Sequence, residues 1–95
     1  MNQTDLTACI AELSALRYTP AGLPALDLVL EHSSQRQEVG HMRVVNLKIR
    51  ALALGVQAER LSRQAVGSQW RFQGFLATPR QGRSVVLHIQ EFQQD

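Results

Sequence analysis

Residues 25–34 alternate with period two. Leu26, Leu28, Leu30 and His32 share one face, and Asp27, Val29 and Glu31 share the other. That is the pattern of a strand with one buried side. Residues 41–53 repeat it over a longer span: Val45, Leu47, Ile49 and Ala51 point one way and predict core, while Val44, Asn46, Lys48 and Arg50 point to a wet, positive face. Between the two, Ser33 to Gly40 reads as a polar hairpin connection closed by Gly40.

Residues 5–18 alternate weakly. Leu13 and Leu16 break the period, which predicts a long first strand with a bend or bulge. Thr19-Pro20-Ala21-Gly22-Leu23-Pro24 is a turn by composition. At residues 54–65 the period changes: Leu54, Ala58, Leu61 and Ala65 follow helical spacing. Glu59 and Arg63 stand four apart in the favourable order, and Gly67 predicts the cap. Residues 69–78 return to period two, with Trp70 and Phe72 facing the core, and mid-strand Gly74 predicts a bulge or bend. Residues 78–83 form a loop, and residues 84–93 close the chain as a strand in which Val85, Leu87 and Ile89 alternate with Val86, His88 and Gln90.

The order is β-β-β-α-β-β. It predicts an all-β single domain over residues 1–95: a five-stranded Greek-key OB-fold barrel with one short helix between the third and fourth strands. A curved first strand and a glycine within a later one suit a closed barrel. An SH3-like barrel is the competing architecture. Ninety-five residues fit one domain and a small core, so association of two copies is expected. No apolar run reaches the length of a membrane helix, and no secretory leader is legible. The expected setting is cytoplasmic, with no membrane partner.

Net charge sharpens the picture. The total is +2, yet residues 1–35 hold one cation and four acids while residues 36–95 hold nine cations and four acids. Nine of the ten cations are arginine, whose planar fork suits phosphate and stacks on bases. An anionic partner such as a nucleic acid follows. Asn46, Lys48 and Arg50 line one face over roughly 13 Å of strand. Arg80 and Arg83 bracket Gly82 in the last hairpin, and Arg17 stands just before the first turn. In an OB-fold these three regions would converge on one groove, and a positive groove tracking a phosphate backbone is the basis of single-strand binding.

Base stacking would supply the other half of such affinity. Trp70, Phe72 and Phe92 read as core, leaving Tyr18 and Phe75 as exposed aromatics and His41 as a weak stacker. The expected grip on single-stranded DNA is electrostatic, salt-sensitive and modest. Enzyme chemistry has little behind it. His32, His41 and His88 lack metal-ligand spacing. Asp27 and Glu31 stand roughly 13 Å apart along their strand, too far for a carboxylate dyad. Cys9 has no basic neighbour in sequence to activate it and reads as a small buried side chain. No cofactor is implied.

Three blocks carry a family resemblance. Tyr18-Thr19-Pro20-Ala21-Gly22-Leu23-Pro24 leading into Leu28-Val29-Leu30-Glu31-His32-Ser33 resembles the second-strand region of the PriB family of primosomal replication proteins. Val66-Gly67-Ser68 leading into Gln73-Gly74-Phe75-Leu76, and Val86-Leu87-His88, resemble it too. The resemblance runs from about Arg17 to Phe92. It implies a homodimeric OB-fold related to single-stranded DNA-binding proteins, acting in replication restart. It implies single-stranded DNA, the PriA helicase and other primosome proteins as partners, stimulation of that helicase, and no enzymatic activity. Residue by residue, it implies DNA contacts at Arg17 near the first turn, Arg43 at the start of the third strand, and Arg80 and Arg83 in the last hairpin. Asn46 occupies the family's position for an aromatic stacker, and His41 a second aromatic position.

Overall fold

The computed structural model describes residues 1–94; Asp95, the last residue of the expected domain, lies outside them. The strands are β1 (Thr4–Leu13), β2 (Arg17–Tyr18), β3 (Pro24–Glu38), β4 (His41–Leu54), β5 (Gln69–Ala77) and β6 (Val86–Gln93), with a single helix α1 (Val56–Ser62) between β4 and β5. The sheet runs β1-β5-β6-β4-β3-β2, and β1 also pairs with β3. That extra pairing closes five strands into a barrel. β4 and β6 run parallel and the other pairs antiparallel. This is the Greek-key OB-fold with its helix in the expected place.

Closure depends on irregular backbone in two places. β1 pairs with β5 from Thr4 to Cys9 and with β3 from Cys9 to Leu13. Its register shifts between Ile10 and Glu12, where the strand turns the corner from one partner to the other. The predicted bend is therefore real but lies earlier than Leu13. The chain leaves the strand after Leu13, so the expected single strand to Tyr18 is two, the second being the two-residue β2. The second irregularity lies between Gln73 and Gly74, where the expected glycine break occurs, and the extra residue is Gln90 on the partner strand. A Cβ on Gly74 would overlap the His88 carbonyl, so only glycine fits this close approach.

The core is aliphatic with an aromatic end. Ile10, Leu26, Leu30, Leu61, Phe72 and Leu87 are fully buried. Phe92 stacks on Phe72 at 6.4 Å and takes the edge of Trp70 at 5.2 Å. α1 plugs the barrel with Ala58 and Leu61. It is shorter than the expected 54–65: Leu54 still belongs to β4, Ala65 is exposed, and Arg63 rather than Gly67 caps the C-terminus. Gly55, at φ 67°, turns the chain from strand into helix. Arg60 lies 4.6 Å over the Phe92 ring, a cation–π contact that ties the helix to the aromatic end. In β6 both Val86 and Leu87 are buried, and Val85, expected within the strand, is half exposed and outside it.

The largest departure from the sequence pattern is a long arm. β3 and β4 stay paired without a break from Ala25↔Leu54 to Glu38↔His41. Ser33 to Glu38, expected as a connection, is strand. The turn is only Val39 and Gly40, at φ 50° and 78°, the positive-φ pair a two-residue type I′ hairpin requires. Polar residues serve here because a two-stranded ribbon with solvent on both faces needs no apolar alternation; its backbone bonds suffice. For the same reason Val45 and Leu47, expected as core, are half exposed: β4 has left the barrel before it reaches them. The arm gives the molecule its 51 × 29 × 21 Å outline.

Candidate nucleic-acid interface

Register decides which side chains share a wall. Directly opposed residues on neighbouring strands point to the same face. Leu26, Leu28 and Leu30 point inward, so Asp27, Val29, Glu31 and Ser33 of β3 point outward. Their partners on β4 are Leu52, Arg50, Lys48 and Asn46. The predicted trio Asn46, Lys48 and Arg50 therefore does line one outer wall. Arg50 is opposite Val86 at the start of β6. Arg80 and Arg83 lie in the exposed loop that leads into that strand, so the loop adjoins the Arg50 end of the row.

Arg17 shares the outer wall but is not a free cation. It stands opposite Ala25 and holds Asp27 with two hydrogen bonds, Nε to Oδ2 at 2.7 Å and Nη2 to Oδ1 at 3.2 Å. The carboxylate raises the guanidinium pKa further above its ordinary value. Lys48 faces Glu31 across the strands. Arg50 has valines on both sides, Val29 and Val86. Among the described residues neither it nor Lys48, Arg80 or Arg83 has an ion-pair partner.

His41 and Arg43 fall elsewhere. Their odd positions put them on the opposite face of the arm, with Val45 and Leu47, and far out along it. Arg43 faces Arg36 and lies 3.6 Å from Glu38. The eight predicted residues thus separate into an outer-wall group (Arg17, Asn46, Lys48, Arg50), an adjoining loop pair (Arg80, Arg83) and a tip pair on the other face (His41, Arg43).

A family model described as "another single-strand binding protein family" matches residues 2–91. The chain is 47% identical over 92 residues to the replication restart protein PriB of Bordetella pertussis, covering 96% of this chain and 86% of that one. It is 39% identical over 94 residues to PriB of Neisseria meningitidis serogroup B, covering 98% and 93%. This chain belongs to the PriB family. Among solved structures, a PriB from Ralstonia solanacearum superposes with a TM-score of 0.89 at 36% identity, covering 99% and 97% of the two chains. A single-stranded DNA-binding protein from Thermus aquaticus gives 0.78 at 26% identity; there this chain spans 49% of that one.

Within this PriB-family barrel, one further outward position, His88, escaped the sequence reading. His88 stands opposite both Leu52 on β4 and Phe75 on β5. Its ring stacks on Phe75 at 4.7 Å with a 13° interplanar angle. Phe75 was legible as a non-core aromatic, but only the β5–β6 register reveals its pairing. Tyr18 is exposed as expected. His32 is structural: Nδ1 meets the Thr7 carbonyl at 2.5 Å and Nε2 the Ser34 hydroxyl at 2.9 Å. The first contact ties the base of the arm to β1, and the second holds the ring within β3. Cys9, expected as buried, is half buried in an open cleft between β1 and the arm, with its thiol 3.9 Å from Gln69 Oε1. There β1 switches partners, and the two strands diverge beyond it.

Proposed function

We propose that this protein is a non-catalytic accessory of replication restart that binds single-stranded DNA along its outer β3–β4 wall. Asn46, Lys48 and Arg50 carry the strand, and Arg80 and Arg83 grip it from the adjoining loop. Arg17 stands at one end, held by Asp27. His41 and Arg43 meet DNA only where it wraps the arm tip. The observation that carries the reading is the outer row ending in Arg50, a cation flanked by valines on a wall of a single-strand-binding fold. With few aromatics available, the grip is electrostatic and its affinity modest.

Family membership supports the proposed partners: single-stranded DNA, the PriA helicase, which the protein would stimulate, and other primosome proteins, in the cytoplasm and without cofactor. The functional unit is a homodimer. The arm supports this, because Ile49, Leu47 and Val45 continue the barrel's inner row into solvent and a second copy would cover them. A second reading, a protein-interaction adaptor without useful DNA affinity, is favoured by Asn46 at the expected stacker position. Fluorescence anisotropy with labelled poly-dT across a salt series separates the two. Binding at low salt that is weakened by Arg50→Ala and by Arg80→Ala with Arg83→Ala supports the DNA reading. Absence of binding at low salt, with helicase stimulation intact, establishes the adaptor. A sedimentation mass of a single chain would overturn the dimer.

A further inference from the structure

The outer wall holds one continuous cross-strand row: Phe75 on β5, His88 on β6, Leu52 on β4 and Asp27 on β3. Its first two members are parallel rings 4.7 Å apart, the spacing of neighbouring strands. The third place in the stack is held by an aliphatic side chain, and there a cleft of about 310 Å³ opens, floored by Leu52 and Leu54 and walled by His88 and Phe75. Gln57 of α1 and Gln90, the bulged residue, contribute amides to its lining. Among the described residues no Asp, Glu, Lys or Arg side chain lines it. Arg50 lies two residues before Leu52 on the same face, about 7 Å along the strand. Asp27, the acid nearest in the row, is neutralised by Arg17.

We propose that the Phe75–His88 pair is a nucleobase platform: one base of a bound single strand stacks on the ring pair in the cleft above Leu52 while the adjoining phosphate lies against Arg50. The inference rests on the single-stranded DNA reading above and adds the residues that receive a base. Charge selects the occupant. A flat, uncharged slot rimmed by amide donors and acceptors beside an unpaired cation fits a group that is planar and apolar on its face, polar at its edge and joined to an anion. A nucleotide has that form, whereas an aliphatic side chain of a protein would leave Gln57, Gln90 and Arg50 without use. The stack also accounts for how a chain whose β4 carries Asn46 and no aromatic on its outer face holds a base: the platform lies on the next two strands of the sheet, β6 and β5.

The test compares wild type, Phe75→Leu and Phe75→Tyr on a dT oligonucleotide and on an abasic oligonucleotide of equal length. Both variants are first checked for the wild-type amide spectrum. On dT, Phe75→Leu should weaken binding about 5- to 150-fold, the range of one lost stacking platform; Phe75→Tyr should retain it. On the abasic strand all three should bind alike. Photocrosslinking of wild type to an oligonucleotide carrying 5-iodouracil should attach the base to the peptide containing Phe75 or His88, a result independent of any variant's folding. Wild-type binding to dT that is unchanged by Phe75→Leu, an equal loss on abasic DNA, or crosslinks confined to other peptides would each overturn the platform. Loss of helicase binding by Phe75→Leu with DNA binding intact would overturn it too and assign the cleft to a protein partner. Failure of wild type to bind dT at all would instead remove the underlying reading.

Discussion

Arg17 clasps Asp27 across the β2–β3 pair, both of its bonds landing on the one carboxylate. The pair is half exposed on each side, so its contribution to stability is small. Its consequence is electrostatic. A cation placed by sequence at the edge of the proposed binding wall is already paired with an acid in the same wall. The salt dependence of DNA binding should register this. Arg50→Ala should lower the slope of log K against log[salt] by about 0.7, the single-strand value for one phosphate contact, and Arg17→Ala by much less. Asp27→Asn should act oppositely, freeing the guanidinium, tightening binding and steepening the slope. Anisotropy titrations over a range of salt concentrations read all three. Equal slopes for Arg17→Ala and Arg50→Ala would mean that Arg17 leaves Asp27 when DNA arrives.

Gly74 is fixed by contact, not by dihedral angle. A methyl group there would overlap the His88 carbonyl oxygen and crowd the Ile89 backbone, and neither can retreat because both belong to the β5–β6 ladder. Gly74→Ala should cost about 1–3 kcal/mol or more, the cost of overpacking. Denaturant unfolding measures it. Displacing β6 should also disturb the neighbouring Phe75–His88 stack, visible as a shift of the Phe75 ring resonances.

How far the sequence exposes this fold depends on where burial is one-sided. Leu26, Leu28 and Leu30 alternate with polar residues because β3 has core on one side and solvent on the other there, and the strand is legible. Ser33 to Glu38 belongs to the same strand, but both faces are wet, so alternation vanishes and hydrogen-bonding residues mimic a loop. Leu47 misleads in the opposite direction, keeping the apolar phase of β4 after the barrel has ended. The Lys48–Arg50 wall was readable because period two survives along a single strand. The coupling of Arg17 to Asp27 and of Phe75 to His88 was not, because each rests on inter-strand register: that of the short β2 against β3, and that of β5 against β6, which the bulge at Gln73–Gly74 resets. The separation of His41 and Arg43 from Lys48 and Arg50 is likewise a matter of parity along an unbroken ladder. Once the ladder is known, odd and even positions can only face apart.

Asp5 and Arg71 give the protein an acid-sensitive brace. They are opposite-face neighbours of the core pairing between β1 and β5, with Arg71 Nε 2.8 Å and Nη2 2.5 Å from the two carboxylate oxygens. Hydrogen bonding from Arg71 holds the Asp5 carboxyl below its ordinary value, with a lesser contribution from the Gln73 amide. A folded-state pKa below the unfolded one stabilises the fold above the unfolded value, near 4, and that stabilisation is lost as pH falls through the lower folded value. Wild type should therefore lose stability on acidification below about pH 4. Asp5→Asn should lose less over the same interval while being slightly less stable at neutral pH. Thermal melts from pH 2 to pH 7 compare the two. Parallel acid limbs would show that Asp5 contributes nothing to the pH dependence.

The arm should be separable from the barrel. No residue from Glu31 to Arg50 is buried on either strand of it, whereas Leu28, Leu30, Ala51 and Ala53 beyond those limits are. Pairs along the β3–β4 ladder alternate in type, so Ser34↔Val45 is of the same type as Glu38↔His41, the pair that closes the native turn. Replacing residues 35–44 with Asn-Gly, the strongest type I′ pair, therefore shortens the arm without changing which face any remaining side chain takes. It keeps His32 and its bonds to Thr7 and Ser34. The shortened protein should melt within about 5 °C of wild type, corresponding to roughly 1 kcal/mol for a domain of this size, because the deleted segment buries almost no apolar surface. It also removes Val39, positive in φ and almost fully exposed, a strained position whose loss favours the shorter chain. Calorimetry at several concentrations checks the barrel, since a melting point that falls well beyond this range and depends on concentration would show that the arm holds two copies together.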